Sequence, residues 1–200
     1  MSFTKLGIDV VSVIEGAATK PFAFMPHFPG VGVGGHCIPV DPYYLIEYAK
    51  QNGFEHEFLA LARRINNQMP KFTVELLLQK LKEKNISIGG TKVAVLGLAY
   101  KANLDDDRES PSYKVIEQLS SLGFEVAAYD PFVKKGSAES LEAALAGATA
   151  VVVATAHQQF KQISTETFKQ HGVQIIIDGR NCLNKEMFAV HGLAYQGIGR

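Results

Sequence analysis

Net charge, cysteine and long apolar runs are all scarce in this sequence, and each scarcity excludes something. Twenty lysines and arginines balance twenty aspartates and glutamates, which leaves no electrostatic footprint for a phosphate backbone and argues against a nucleic-acid partner. No apolar run approaches the roughly 18 residues a membrane span needs. The first residues, Met1-Ser2-Phe3-Thr4-Lys5, lack the apolar core and small-residue cleavage site of a secretory signal, so a cytoplasmic protein with no membrane partner is expected. The two cysteines, Cys37 and Cys182, make no disulfide framework and fit a reducing compartment where a thiol stays free for chemistry. What is present is ordinary for a globular chain: 200 residues, 46% hydrophobic, enough for one full α/β domain and an appendage.

Apolar periodicity divides the chain in two. Leu6, Val10, Val13, Ile14 and Ala17 line one face of a helix ending near Ala18. That helix has almost no N-terminal cap and reads as the continuation of a longer one. Asp41-Pro42 predicts the start of a second helix, with an acidic cap and proline at the first position, and Asn52-Gly53 its end. Phe58, Leu61, Ala62 and Ile65 repeat at helical spacing, and so do Val74, Leu77, Leu78 and Leu81 beyond Pro70, which predicts two further helices. The Gly89-Gly90 pair separates this helical segment, 1–88, from an α/β segment, 89–200.

In the second segment strands are expected at 93–96, 126–129, 150–154 and 174–177, with an edge strand at 193–196. Helices are expected after Ser110-Pro111, around Leu141 to Leu145, and at 165–171. Such alternation predicts a doubly wound parallel sheet, whose ligands bind beyond the carboxyl ends of the strands. Those ends fall at Gly97 to Arg108, Asp130 to Phe132, Thr155 to His157 and Asp178 to Asn181. Lys101, Arg108 and Arg180 are then candidate phosphate or carboxylate binders, and Tyr100 an aromatic near them. Asp105, Asp106 and Asp107 do not have the alternate spacing of a metal loop, so no metal is expected; they cap the next helix and offset the nearby cations. Asp130 sits where a ribose-binding acid would, yet no glycine fingerprint follows the first strand, so it reads as a turn-forming Asp-Pro.

The densest signal is Gly30-Val31-Gly32-Val33-Gly34-Gly35-His36-Cys37-Ile38-Pro39-Val40-Asp41-Pro42. Gly30, Gly32 and Gly35 satisfy G-x-G-x-x-G, but Pro26 and Pro29 upstream and Pro39 and Pro42 downstream deny it the strand and helix that a dinucleotide turn requires. The segment reads instead as a shaped loop that brings backbone close to a ligand and delivers the Cys37 thiol to it. Four readings of that thiol compete: a cysteine hydrolase paired with a distant histidine, a zinc site with His36 and Asp41, a buried structural cysteine, and a covalent nucleophile toward a carbonyl.

Gly-Gly-His-Cys-Ile-Pro-Val-Asp-Pro at 34–42, Gly-Leu-Ala-Tyr-Lys at 97–101, Asp-Asp-Arg-Glu-Ser-Pro at 106–111 and Asp178-Gly179-Arg180-Asn181, in that order, resemble the UDP-glucose/GDP-mannose dehydrogenase family over essentially the whole chain. Ala18-Thr19-Lys20-Pro21-Phe22 and Phe24-Met25-Pro26 look most like the branch acting on UDP-N-acetylglucosamine, with the UDP-N-acetylmannosamine branch next. The resemblance implies a C-terminal portion of an NAD-dependent enzyme: a helical central, dimerising segment followed by a Rossmann-like UDP-binding domain, with NAD bound mainly by a domain outside this chain. Family members oxidise C6 of a UDP-sugar to the carboxylate with two NAD molecules in succession, through a cysteine thiohemiacetal and thioester. By that resemblance Cys37 matches the nucleophile and Asp41 a carboxylate near the attacking water. Phe28, Gly30, Gly34, Gly35, Tyr100, Lys101 and Arg180 match substrate contacts, and Arg108 a residue beside the cofactor. A homodimer through the central helices is also implied. The fragment would be inactive alone; the competing reading is a non-catalytic UDP-sugar-binding or dimerisation module.

Overall fold

A computed structural model describes all 200 residues. Its second half is a five-stranded, wholly parallel sheet in the order β2-β1-β3-β4-β5, formed by β1 (Lys92–Leu96), β2 (Glu125–Tyr129), β3 (Ala148–Val153), β4 (Ile175–Asp178) and β5 (Ala194–Gly197). The expected doubly wound α/β architecture is therefore present. Strand alternation divides the apolar residues between two faces. Val93, Val95, Ala150, Val152, Ile175 and Ile177 form one core, and Ala94, Leu96, Val151, Val153 and Ile176 the other. Because both faces are covered, the strands read as continuous apolar runs rather than as alternating ones. The winding reverses between β1 and β3, so the loops after these strands flank the crevice where such folds take ligands.

The first core is covered by α5 (Pro111–Ser121), through Val115 and Leu119, and by the second half of α4 (Glu57–Glu83), through Phe72, Val74, Leu77 and Leu81. Ser110 caps α5 with its hydroxyl, as the Ser-Pro signal predicts. The other core is covered by α6 (Leu141–Leu145), α7 (Gln158–Lys161), α8 (Thr165–Gln170) and α9 (Lys185–Val190), with Phe160, Phe168 and Phe188 as the largest contributors. Helices α7 and α9, of four and six residues, are absent from the sequence-based expectations.

Three helical expectations need correction. The helix through Leu6 is two helices, α1 (Ser2–Leu6) and α2 (Val10–Ala18), because Gly7 turns left-handed at φ 68° and Asp9 caps α2 by accepting from Val11 N–H at 3.0 Å. The second helix, α3 (Cys37–Gln51), begins at Cys37 and not at Asp41. Pro39 falls in its first turn, where no intrahelical N–H is required, and Pro42 removes a single bond further on. The two helices expected on either side of Pro70 are one 27-residue rod, α4, with the proline inside it.

The chain is closed by a clasp between its two ends. Val10 N–H donates to Gly199 C=O at 2.8 Å, and Gly199 N–H to Thr4 Oγ1 at 3.1 Å. Asp9 also pairs with Lys185 at 2.6 Å and Arg200 at 3.0 Å. Partial burial opposes ionisation of Asp9, but the hydrogen bonds from Lys185 and Arg200 outweigh it and hold the carboxyl below its ordinary range. No helix is long and apolar enough to cross a membrane.

Candidate active site

The glycine loop lies across the carboxyl edge of the sheet, and its missing side chains are what let it do so. Val31 is fully buried, and its Cγ1 occupies the space that a Cβ on Gly179, just past β4, would need. A Cβ on Gly30 would be 2.6 Å from the Arg180 guanidinium. At the other end of the loop, a Cβ on Gly34 would be 2.7 Å from Tyr100 Cβ, and one on Gly35 would be 2.9 Å from the Tyr100 ring. Gly35 has φ 93°, a left-handed conformation that also favours glycine, and its N–H donates to Arg108 C=O at 2.9 Å. The loop thus runs from the end of β4, at Arg180, to the loop after β1, at Tyr100 and Arg108, and then delivers Cys37.

Cys37 is exposed and is the first residue of α3, whose first turn receives no side-chain cap from His36. The corrected helix start matters chemically: with both residues helical, Asp41 is one turn beyond Cys37 on the same face. Asp41 is likewise exposed. Arg108 meets the loop through its C=O, and its guanidinium is held by Asp106, with Nη2 to Oδ2 at 2.6 Å. Lys101 is exposed and forms no ion pair.

Phe28, Gly30 and Arg180 line a cavity of about 770 Å³ together with Phe58, Ile65 and other mostly apolar residues. Arg180 is the one charged side chain in that lining. Burial opposes its charge and lowers its pKa, and it has no carboxylate ion-pair partner. Its own N–H is fixed by Asp178 Oδ1 at 3.0 Å. Asp178 is buried at the end of β4 and also accepts from Leu183 N–H at 2.8 Å and the Tyr195 hydroxyl at 3.0 Å. Burial pushes its carboxyl up despite those bonds. The candidate residues therefore form two groups joined by the glycine loop: Phe28, Gly30 and Arg180 at the cavity, and Gly34, Gly35, Cys37, Tyr100 and Arg108 at the other end.

Sequence reasoning overlooked what holds this second group. Asp130, fully buried at the end of β2, accepts from Leu98 N–H at 2.7 Å, Ala99 N–H at 2.9 Å, Phe132 N–H at 2.8 Å and Val133 N–H at 2.9 Å. Its Oδ2 also meets His157 Nε2 at 2.9 Å. His157 Nδ1 accepts from Asn103 N–H at 2.9 Å, which assigns the ring proton to Nε2, donating to Asp130. Asp130 does form a turn, as its Asp-Pro context predicts, but it also pins the loop that carries Tyr100 and Lys101. Asn66 and Asn67 on α4 were overlooked too, although an Asn pair shortly before a mid-helix proline is a visible irregularity.

Two family models match the chain: the UDP-glucose/GDP-mannose dehydrogenase family central domain over residues 1–68 and the UDP binding domain of the same family over residues 94–185. The chain belongs to this family. It is 43% identical over 97% of its length to a UDP-N-acetyl-D-mannosamine dehydrogenase of Pyrococcus horikoshii, and covers 45% of that relative. A UDP-N-acetyl-D-glucosamine 6-dehydrogenase of Salmonella typhi is 34% identical over 85% of the chain, with 41% of the relative covered. Among solved structures, a UDP-D-ManNAc dehydrogenase from Pyrococcus horikoshii superposes with TM-score 0.89 at 42% identity, over 99% of this chain and 46% of that one. An NDP-N-acetyl-D-galactosaminuronic acid dehydrogenase from Methanosarcina mazei Go1 superposes with TM-score 0.90 at 30% identity, over 97% of this chain and 44% of that one. The chain thus spans less than half the length of the relatives it matches.

The pinning of the β1 loop carries a pH signature. Burial raises the Asp130 carboxyl, but the hydrogen bonds from His157 and the backbone amides more than compensate and hold it well below the ordinary carboxylate range. A carboxyl depressed in the folded state contributes stability that is fully present above its unfolded pKa of about 4 and is lost as pH falls through the folded value. Urea midpoints measured from neutral pH down to acid should fall below about pH 4. In Asp130→Asn the protein should be less stable at neutral pH, and the acid fall should be shallower. An equally steep fall in the variant would rule out Asp130 as a source.

Proposed function

We propose that this chain is the part of a UDP-sugar 6-dehydrogenase that binds the nucleotide sugar and supplies the thiol for oxidising its C6 alcohol to the carboxylate. The observation that carries the reading is the glycine loop, which links a half-buried arginine with no ion-pair partner, at a cavity, to an exposed thiol at a helix start. Arg180 would meet the diphosphate, since a partly desolvated cation with no carboxylate within ion-pair distance favours a charge-assisted bond to an anion. Phe28 supplies an aromatic surface in the same cavity. Gly34 and Gly35, backed by Tyr100, with Lys101 nearby, would hold the sugar so that C6 faces Cys37. The Cys37 sulfur would add to the C6 aldehyde, with the thiol proton ending on the aldehyde oxygen, to give a thiohemiacetal; loss of hydride from that carbon to a nicotinamide cofactor would leave a thioester, and water, with Asp41 beside it, would release the acid and return the thiol. The relatives named for N-acetylhexosamine substrates favour a UDP-N-acetylhexosamine as the sugar nucleotide.

The nicotinamide cofactor such a reaction implies would supply the hydride acceptor, but the residues present do not fit a dinucleotide site. In a nucleotide-binding turn the N–H groups after β1 face the pyrophosphate. Here the amides of Leu98 and Ala99 are both taken by the Asp130 carboxylate, which would also repel that anion. We therefore assign NAD to a part of the enzyme outside this chain, with Arg108 on the side facing it, and no hydride step to these residues. By the same reading the chain alone is inactive.

Isothermal calorimetry should detect UDP binding to this chain. Arg180→Met should weaken it about tenfold or more, because a charge-assisted hydrogen bond contributes roughly 1.5–3 kcal/mol. No heat from the folded wild-type chain would count against the nucleotide site. In the complete dehydrogenase, Cys37→Ser should abolish carboxylate formation, since a serine hydroxyl is a far poorer nucleophile at neutral pH; undiminished acid production would exclude the covalent route.

Leu6, Tyr44 and Phe58, on α1, α3 and α4, and Phe22 and Met25, between α2 and α3, are each at least two-thirds exposed, and apolar side chains left this exposed favour association. We infer that two copies pair through this half of the chain. Sedimentation should give a dimer at micromolar concentration, shifted toward monomer by Phe58→Glu; a monomer at every concentration would refute the pairing.

A further inference from the structure

The chain on either side of Cys37 is held by one short stretch of α4, at Val33 before it and at Tyr43 after it. On the loop side, Asn66 Oδ1 accepts from Val33 N–H at 3.0 Å. The main-chain carbonyl of Asn66 also faces the loop, 3.6 Å from where a Cβ on Gly32 would stand. It is free to do so because residue 70 is proline and has no N–H to return to it. On the helix side, Asn67 Nδ2 donates to the Tyr43 hydroxyl at 2.9 Å, and Tyr43 is in α3, less than two turns beyond Cys37. Arg63 lies beneath both contacts. It is 8% exposed, donates from Nη2 to Asn67 Oδ1 at 3.3 Å, and its guanidinium carbon stands 5.4 Å from the centre of the Tyr43 ring. It has no carboxylate partner, and its Nε has no hydrogen bond. Burying a cation this way opposes stability, and the Asn67 bond and the Tyr43 ring are the contacts that offset it. The loop, α3 and α4 meet around a cavity of about 30 Å³ lined by Val33, Pro39, Arg63, Asn66 and Asn67 among others.

We propose that Asn66 and Asn67, supported by Arg63, are positioning residues that fix the Cys37 thiol relative to Tyr100 and Arg108. The inference deepens the reading of Cys37 as the nucleophile and rests on it. The second half of α4 is built into the sheet core, so the two asparagines transmit the frame of the α/β layer to a thiol that is otherwise exposed. Asn66 sets where the loop ends, Asn67 sets how α3 leaves it, and Arg63 keeps the Asn67 amide turned so that its nitrogen meets Tyr43.

The test is fluorine NMR of the chain labelled at Cys37 with bromotrifluoroacetone at neutral pH, where Cys182, its thiol pushed up to about 12 by burial, stays unreacted. The wild-type label should give one narrow line. Asn66→Leu keeps the bulk but has no acceptor, and should split or broaden that line; Tyr43→Phe, which removes only the hydroxyl that Asn67 holds, should do the same to a lesser degree. Asn66→Asp restores an acceptor for Val33 and should restore the narrow line. A broad wild-type line, an unchanged line in folded Asn66→Leu, or an Asn66→Asp spectrum as disordered as that of Asn66→Leu would each overturn the proposal. Should Asn66→Leu fail to fold, Tyr43→Phe decides, and an unchanged line there overturns it equally. Adding UDP to the labelled wild type tests the nucleotide reading separately, since a line that UDP leaves unmoved counts against that site while the variants still decide whether the asparagines position the thiol.

Discussion

The chemistry this chain can offer depends on one buried carboxylate. Asp130 gathers four backbone amides and an imidazole around two oxygens, and in doing so it turns the crossover loop of β1 into a fixed shelf. Charge-assisted hydrogen bonds are the stronger kind, and in a fully desolvated site they cannot be exchanged for water. Thr155 fastens the same shelf from β3 by donating to Ala99 C=O at 2.6 Å. Tyr100 stands on that shelf, the two glycines close against Tyr100, and the thiol follows them. Removing the carboxylate would loosen each of these in turn.

The same interaction explains how a sheet of nucleotide-binding type can serve a different purpose. The amides of Leu98 and Ala99 are where a pyrophosphate would lie in such a fold, and an internal anion has taken them. The cation left without an ion-pair partner is instead beside β4, where Arg180 lines the cavity and Asp178 holds its main chain. One carboxylate thus fills the place an anionic ligand would otherwise occupy, and the other orients the cation that remains available.

Much of the α/β layer was legible because its strands are short apolar runs buried on both faces, with Ser, Gly and Asp at their ends. The helical half was harder to read. The period through Leu6 and Val13 is real, but both side chains are largely exposed, so the pattern ran across a break at Gly7 that no local packing enforces. Pro70 looked like a terminus because its cost is local; the Asn66 carbonyl that it leaves without an intrahelical donor faces Gly32, 34 residues away in sequence. At the site, motif residues such as Cys37, Tyr100 and Arg180 were visible as chemistry. Asp130, His157 and Asn66 were not, since their roles come from partners brought together only by the fold: His157 and Asp130 are 27 residues apart, and Asn66 and Val33 are 33 apart.

The continuity of α4 limits what the site can accept. A 27-residue helix is a rod about 40 Å long, embedded in the sheet at one end and carrying the contacts beneath the glycine loop at the other. The loop is anchored at Arg180 after β4 and at Tyr100 after β1, two places on one sheet, and the rod braces it from below through Asn66. On the proposed reading, a fixed distance between the Arg180 cation and the Cys37 sulfur would select a ligand by its span: a molecule whose reactive carbon lies too near its anionic group, or too far from it, would be rejected however well either end bound alone.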